Sequence, residues 1–294
     1  MAKAVATTDE KSTAVAAANT SAQVPAFMQA NRTNKAKIGN TDSSDLIIPR
    51  VKLLQKISPE VDDHPGVAVE GQFWHTIAEQ SLGSELRFVP LLINKSTVLW
   101  APRGDDRGIL ARSSDNVNWD QGSENQEFEI QLKGQPKRKI YTRSSVAESG
   151  LAEFGSTVPG DKRSAPLASL TYTFLMVLLD FPELSPVAVI NTRSAIRPAK
   201  LLQSKIDLRP AQHYGQVFKM FKTDEVGDEG SYNGYGYLAD GYVSDEDQYH
   251  EFEAMYRHYS EGVAWRVNDD ADEAPVSEGG PTGERPTGEK SSKY

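Results

Sequence analysis

With 294 residues, an apolar fraction of 38% and four tryptophans, the chain is long enough to bury one large core or two small ones. It has no cysteine, which excludes disulfides, thiolate metal sites and cysteine nucleophiles, and agrees with a reducing cytoplasm. The net charge of −9 conceals a segregation, because fifteen acids face two arginines between Asp224 and Glu273 while the chain before Asp224 is mildly basic.

Residues 1–43 are rich in Ala, Ser and Thr and poor in large apolar groups, so they are expected to be a disordered tail, without the apolar run of a signal peptide. No stretch approaches transmembrane length, and a soluble cytoplasmic protein is expected. A single β-rich domain is expected over 44–267. Leu46 to Ile57, with Pro49 inside, opens it in extended form. Val67 to Ile77 and Glu85 to Trp100 read as strands, the second broken by a turn at Asn94-Lys95. Trp100, Arg103 and Arg107 then form a first candidate contact group, with Arg112 close behind. Phe128 to Leu132 and Arg138 to Thr142 pattern as a hairpin whose turn and return arm hold Lys133, Lys137, Arg138, Lys139 and Arg143. Such a run is either a solvated tip or a grip on phosphates. Ser145 to Glu148 has capping-box spacing and predicts a short helix to Phe154.

The central stretch runs from Pro166 to Val243. Leu170 to Leu179 is apolar on both faces in its second half, as suits a strand in the middle of a sheet. After a turn at 180–186, a strand from Val187 ends on Arg193, with Arg197 close behind. Pro198 predicts a helix start, and Ala199, Leu202 and Ile206 share one stripe flanked by Lys200 and Lys205. Gln216 to Lys222 reads as the next strand and carries Lys219 and Lys222. An acidic loop leads to a last strand, Tyr232 to Val243, with Tyr235 and Tyr237 on one face. Seven basic residues face only Asp207 between Arg193 and Lys222. Ser244 is the expected N-cap of an acidic helix to Tyr259, docked by Tyr249, Phe252 and Tyr256. Residues 268–294 contain two PTGE repeats and are expected to be a disordered acidic tail.

Catalytic patterns are missing from the sequence. The five histidines make no close metal-ligand pair, and there is no phosphate loop, nucleophile elbow or dinucleotide fingerprint. A non-enzyme without cofactor or metal is therefore expected. Two readings stand for Tyr235 and Tyr237: aromatics packed on a twisted edge strand, or a platform on which bases stack. Two also stand for the acidic segment, which either solubilises the surface or competes with a polyanion for the basic patch.

In organisation, the pieces VAVINTRSAIRPAKLLQSKI (187–206) and YGYLADGYVSDEDQY (235–249), set among strands with an acidic C-terminal extension, resemble phage-encoded single-stranded DNA-binding proteins of replication and recombination. The resemblance covers about Asp45 to Ser260. It implies an α+β, mainly β fold built on an OB-like barrel, non-sequence-specific phosphate contacts and base stacking, and possible replication or recombination partners and homo-oligomers. The residues carrying the contacts would be Trp100, Arg103, Arg107, Lys137, Arg138, Lys139, Arg193, Arg197, Lys200, Lys205, Lys219, Lys222, Tyr235 and Tyr237. Two other classes stay open: a virion structural or assembly protein, and an acidic inhibitor of a host enzyme.

Overall fold

The computed structural model describes residues 47–102, 105, 107–227, 230–261 and 266–267. The expectations for 1–43, for Arg103 and for 268–294 lie outside them. In chain order the strands and α-helices are β1 (Ile47–Ile48), β2 (Val51–Leu53), α1 (Pro59–Asp63), β3 (Phe73–His75), β4 (Gln80–Ser81), β5 (Glu85–Trp100), β6 (Ile109–Ser113), β7 (Glu127–Ile130), β8 (Arg138–Tyr141), α2 (Val146–Ser149), β9 (Ala168–Leu178), β10 (Val187–Thr192), α3 (Ile196–Asp207), β11 (Gln216–Gly227), β12 (Gly230–Tyr242), α4 (Glu246–Ser260) and β13 (Arg266–Val267). The protein is mainly β.

The main sheet is antiparallel, in the order β10-β9-β5-β11-β12, with β6 also on β5. Alternation along its strands sends successive residues into two different cores. Phe88, Phe174, Met176, Val189 and Phe218 enter one, which is covered by Ala199, Leu202 and Ile206 of α3. Val89, Leu91, Leu175, Val177 and Val217 enter the other, covered by Phe252 of α4 with Tyr249 and Tyr256 beside it. The sheet is thus buried on both faces, which is why β9 reads as a continuous apolar run.

Strand β5 corrects one expectation. Asn94 and Lys95 do not turn but pair with Thr173 and Tyr172 inside an unbroken ladder with β9, and the irregularity falls instead between Pro90 and Leu92. Proline has no N–H for the ladder, so a bulge beside it is the arrangement a central strand can tolerate. The long partner strand overrides the local turn preference of Asn-Lys.

A small sheet, β2-β3-β4, lies over the α3 side. An isolated bridge joins Arg50 to Ala188 of β10. At the opposite edge the Gln55 side chain mimics a backbone neighbour for β12: its Nε2 donates to the Asn233 carbonyl at 2.9 Å, and its Oε1 accepts the Asn233 N–H at 2.9 Å. Val51, Leu53 and Phe73 therefore enter the α3-side core. The strand path still ends at β10 and β12 among the described residues, so the sheet does not close into the expected OB-like barrel. Only part of 67–77 is strand, because its first half forms turns around Gly66 and Gly71, both at positive φ.

The described residues between Trp100 of β5 and Ala168 of β9 form a lobe, whose Ala111, Trp119, Ile130, Ile140, Val146 and Leu151 make a core together with Leu99 of β5. The Trp119 indole N–H donates to the Ser145 carbonyl at 3.2 Å, as a buried indole requires. Ser145 caps α2 by accepting the Glu148 N–H, as its spacing predicts. The helix nevertheless stops well short of Phe154, because Gly150 adopts the left-handed conformation at φ 63° directly after one turn.

Candidate nucleic-acid interface

Strand β10 ends with Thr192 paired to Thr171 of β9, and Arg193 then turns the chain at φ 48° into a 3-10 turn, Arg193–Ala195. That turn runs directly into α3, so the helix begins at Ile196, two residues before the expected Pro198 start. Pro198 falls in the first helical turn, where a missing N–H costs nothing. With Ala199, Leu202 and Ile206 facing the sheet, Arg193, Arg197 and Lys200 point to solvent. Among the described residues none of these three side chains makes an ion pair or a hydrogen bond.

Lys95 belongs with them, although the sequence placed it in a turn. It lies opposite Tyr172 in the β5–β9 ladder and is exposed. It therefore shares the α3 side of the sheet with Tyr172, Phe174 and Ile93. Tyr172 in turn pairs with Asn191 of β10, two residues before Arg193. Two strand spacings put the Lys95 and Asn191 backbones about 10 Å apart. Lys95, Arg193, Arg197 and Lys200 consequently lie toward the end of the α3 side where β10 passes into α3, and Leu201, next to Lys200 in the chain, is 54% exposed.

Most other predicted contacts are engaged within the protein. Arg107 is held by Asp105 through its Nε at 2.8 Å and donates Nη2 to the Glu129 carbonyl at 2.9 Å. Its guanidinium draws the Asp105 carboxyl below the usual range through their hydrogen bond. Arg138 donates to the Ser156 and Thr157 carbonyls at 2.6 and 2.9 Å, and Lys139 pairs with Glu127 at 2.5 Å. Lys205 donates to the Tyr237 carbonyl at 2.5 Å. Lys219 pairs with Glu85 at 3.2 Å and Lys222 with Asp224 at 2.8 Å. Trp100 is half-buried where β5 meets β6, and Lys137 is exposed beside the hairpin turn.

The two tyrosines face the core. Tyr237 is 6% exposed, donates its hydroxyl to Asn191 Oδ1 at 2.9 Å and lies between Phe88 and Phe174, with ring centroids 6.2 and 6.4 Å away. Burial pushes its hydroxyl well above the ordinary tyrosine range. Tyr235 is half-buried, stacks on Tyr237 at 6.4 Å and accepts the Leu53 N–H at 3.1 Å. Both rings are covered by α3 and the small sheet, which corresponds to the packed edge-strand reading. The expected acidic loop is hairpin instead, since Asp224 and Glu225 pair with Asn233 and Tyr232. The N-cap of α4 is Asp245, accepting the Gln248 N–H at 2.9 Å, in place of Ser244.

One family model matches, that of the Pam3 phage gp34-like protein, and it spans residues 16–264. The chain belongs to this phage family. No curated protein and no solved structure matches it. Membership brings a bacteriophage origin, which fits the organisation of the sequence. Among the described residues no helix is long and apolar enough to cross a membrane.

Proposed function

We propose that this Pam3 phage gp34-like chain binds single-stranded DNA in phage replication or recombination, through phosphate contacts that do not read sequence. The observation that supports this reading is the group Lys95, Arg193, Arg197 and Lys200: exposed cations from β5, the 3-10 turn and α3, gathered at one end of one side of the sheet. Among the described residues the three on and before α3 have no partner to release before they meet a phosphate. Arginine and lysine in such a track position a strand without specifying bases, and their affinity comes from released counterions.

Fluorescence anisotropy of labelled oligo-dT tests the reading. Wild-type affinity should fall steeply with salt, and Arg193→Ala, Arg197→Ala and Lys200→Ala together should flatten the log–log salt slope by about 2, at roughly 0.7 per lost phosphate contact. All three residues are exposed, so thermal stability should hold within about 0.5 kcal/mol. A flat wild-type salt profile, or an unchanged slope in the folded triple variant, would overturn the assignment.

A further inference from the structure

The α3 track would supply phosphate contacts, but among the described residues it offers no exposed aromatic on which a base could stack, since Tyr235 and Tyr237 are covered. Another part of the molecule carries one. Phe154 is 73% exposed, the most exposed aromatic ring among the described residues, and it stands on the loop that follows α2 in the lobe. Three residues earlier Leu151 enters the lobe core with Ala152 packed against it, so the chain turns from buried to exposed apolar groups within one loop.

The loop that holds Phe154 is fixed at several points. The Gly155 N–H donates to the Ser164 carbonyl at 2.8 Å, the Leu167 N–H to Ser156 Oγ at 2.8 Å, and Arg138 clasps the Ser156 and Thr157 carbonyls from β8. Gly155 sits at φ 95°, and a Cβ there would lie 3.4 Å from Lys162 Cα, so the backbones beside Phe154 and Lys162 nearly touch. Arg138 brings Lys137 and the hairpin turn with Lys133 to the same loop. Lys133, Lys137, Lys162 and Arg163 are exposed and make no ion pair among the described residues. The acids nearby are Glu153, and Asp161, whose Oδ1 accepts the Arg163 N–H at 3.0 Å. An aromatic ring on a pre-organised loop, bordered by cations from two segments, is the combination that grips single strands: phosphates on the cations and a base on the ring.

The lobe also stands in the right place. It rejoins the sheet at Ala168, three residues before Thr171, which pairs with Thr192 just ahead of Arg193. The lobe and the α3 track thus share one end of the sheet. We infer that Phe154 is the base-stacking residue of a second contact for the same strand, with Lys162, Arg163 and Lys137 holding its backbone. This rests on the single-strand reading above and adds the base to it.

Binding of full-length protein to oligo-dT and to an abasic oligonucleotide of equal length separates the two contacts. Phe154→Ala should weaken oligo-dT binding by about fivefold or more while leaving the abasic strand unchanged, and Phe154→Trp should retain it. Lys162→Ala with Arg163→Ala should weaken both strands. Thermal melts should show little change for Phe154→Ala, because the residue is 73% exposed. If Phe154→Ala binds oligo-dT like wild type, or loses both strands equally, the inference fails while a salt-dependent loss in the α3 triple variant keeps the α3 reading. If wild type binds neither strand, both fail.

Discussion

The two ends of α3 carry similar charges and put them to opposite uses. At its start, Arg193, Arg197 and Lys200 point into solvent, and no described residue holds their side chains. Near its end and just past it, Lys205 and Arg209 turn back onto the edge strand β12. Lys205 takes the Tyr237 carbonyl, and Arg209 takes the Gly241 carbonyl at 2.6 Å while its guanidinium lies 4.2 Å from the Tyr242 ring centroid. With Gln55 on Asn233, these residues occupy the unpaired side of β12 at three points. An exposed edge strand is a template for another chain, and charged side chains on its free carbonyls are one way to block it. Basic residues close together in sequence therefore do not make a single site. What separates the two ends is whether a backbone carbonyl is within reach.

The sharpest way to break this comparison is to strip the cap. Lys205→Met with Arg209→Met removes charge-assisted hydrogen bonds worth roughly 1.5 kcal/mol each at their partly exposed positions, so urea melts should show a loss of about 3 kcal/mol. Sedimentation should show new concentration-dependent association, with oligo-dT affinity per monomer unchanged. A drop in affinity without a drop in stability would put Lys205 back among the DNA contacts. A somewhat smaller effect is expected from Tyr237→Phe. It removes the hydrogen bond to Asn191 and leaves the buried Asn191 side chain with neither polar atom partnered among the described residues, which costs about 2 kcal/mol. Oligo-dT binding should not change, and a selective loss of binding would restore Tyr237 as a stacking surface.

The parts of this arrangement that were legible in sequence are those set by periodicity. The apolar run of β9, the strand from Val187, the stripe Ala199, Leu202 and Ile206, and the docking of α4 by Tyr249, Phe252 and Tyr256 follow from the spacing of apolar residues, although the strand ends at Thr192, one residue before the expected Arg193. Periodicity assigns Tyr235 and Tyr237 to one face correctly, yet it cannot say what covers that face. The cover is α3 and the small sheet, whose Leu53 and Phe73 lie more than 160 positions earlier in the chain. The partner of Lys219 was likewise invisible, because Glu85 meets it only through the β5–β11 register, whereas Asp224 stands just two residues after Lys222 on the same strand. Lys95 was lost for the reverse reason. Its local sequence suits a turn, and only the β9 ladder holds it extended at the end of the sheet where Arg193 emerges.

The smallest expected effect concerns pH, and it separates the fold from the α3 track. His75 is 3% exposed, accepts the Ala78 N–H on Nδ1 at 2.9 Å and holds its Nε2 3.3 Å from the Leu184 carbonyl, so the ring is neutral with its proton on Nε2. Burial lowers its pKa below the ordinary 6.5, against smaller upward contributions from backbone hydrogen bonds. Burial lowers His213 in the same way beside Tyr214 and Tyr256. A base depressed in the folded state stays unprotonated while the unfolded chain takes up the proton. Stability is therefore full above pH 6.5 and falls as pH drops from 6.5 toward the lowered folded value, by at most about 1.4 kcal/mol per pH unit for each histidine. The depressed carboxyls Asp105, Asp115, Glu127 and Glu253 lose their contributions only near and below their ordinary range, at lower pH. Melting temperature should thus decline between pH 7.5 and 5.5, and His75→Gln should flatten the decline. Arginine and lysine keep their charge throughout that window, so oligo-dT affinity of the folded protein should stay level across it. A melting profile that is equally flat with and without His75 would remove the buried histidine as its cause, whereas affinity that climbs as pH falls would mean a titrating group lies in the track itself.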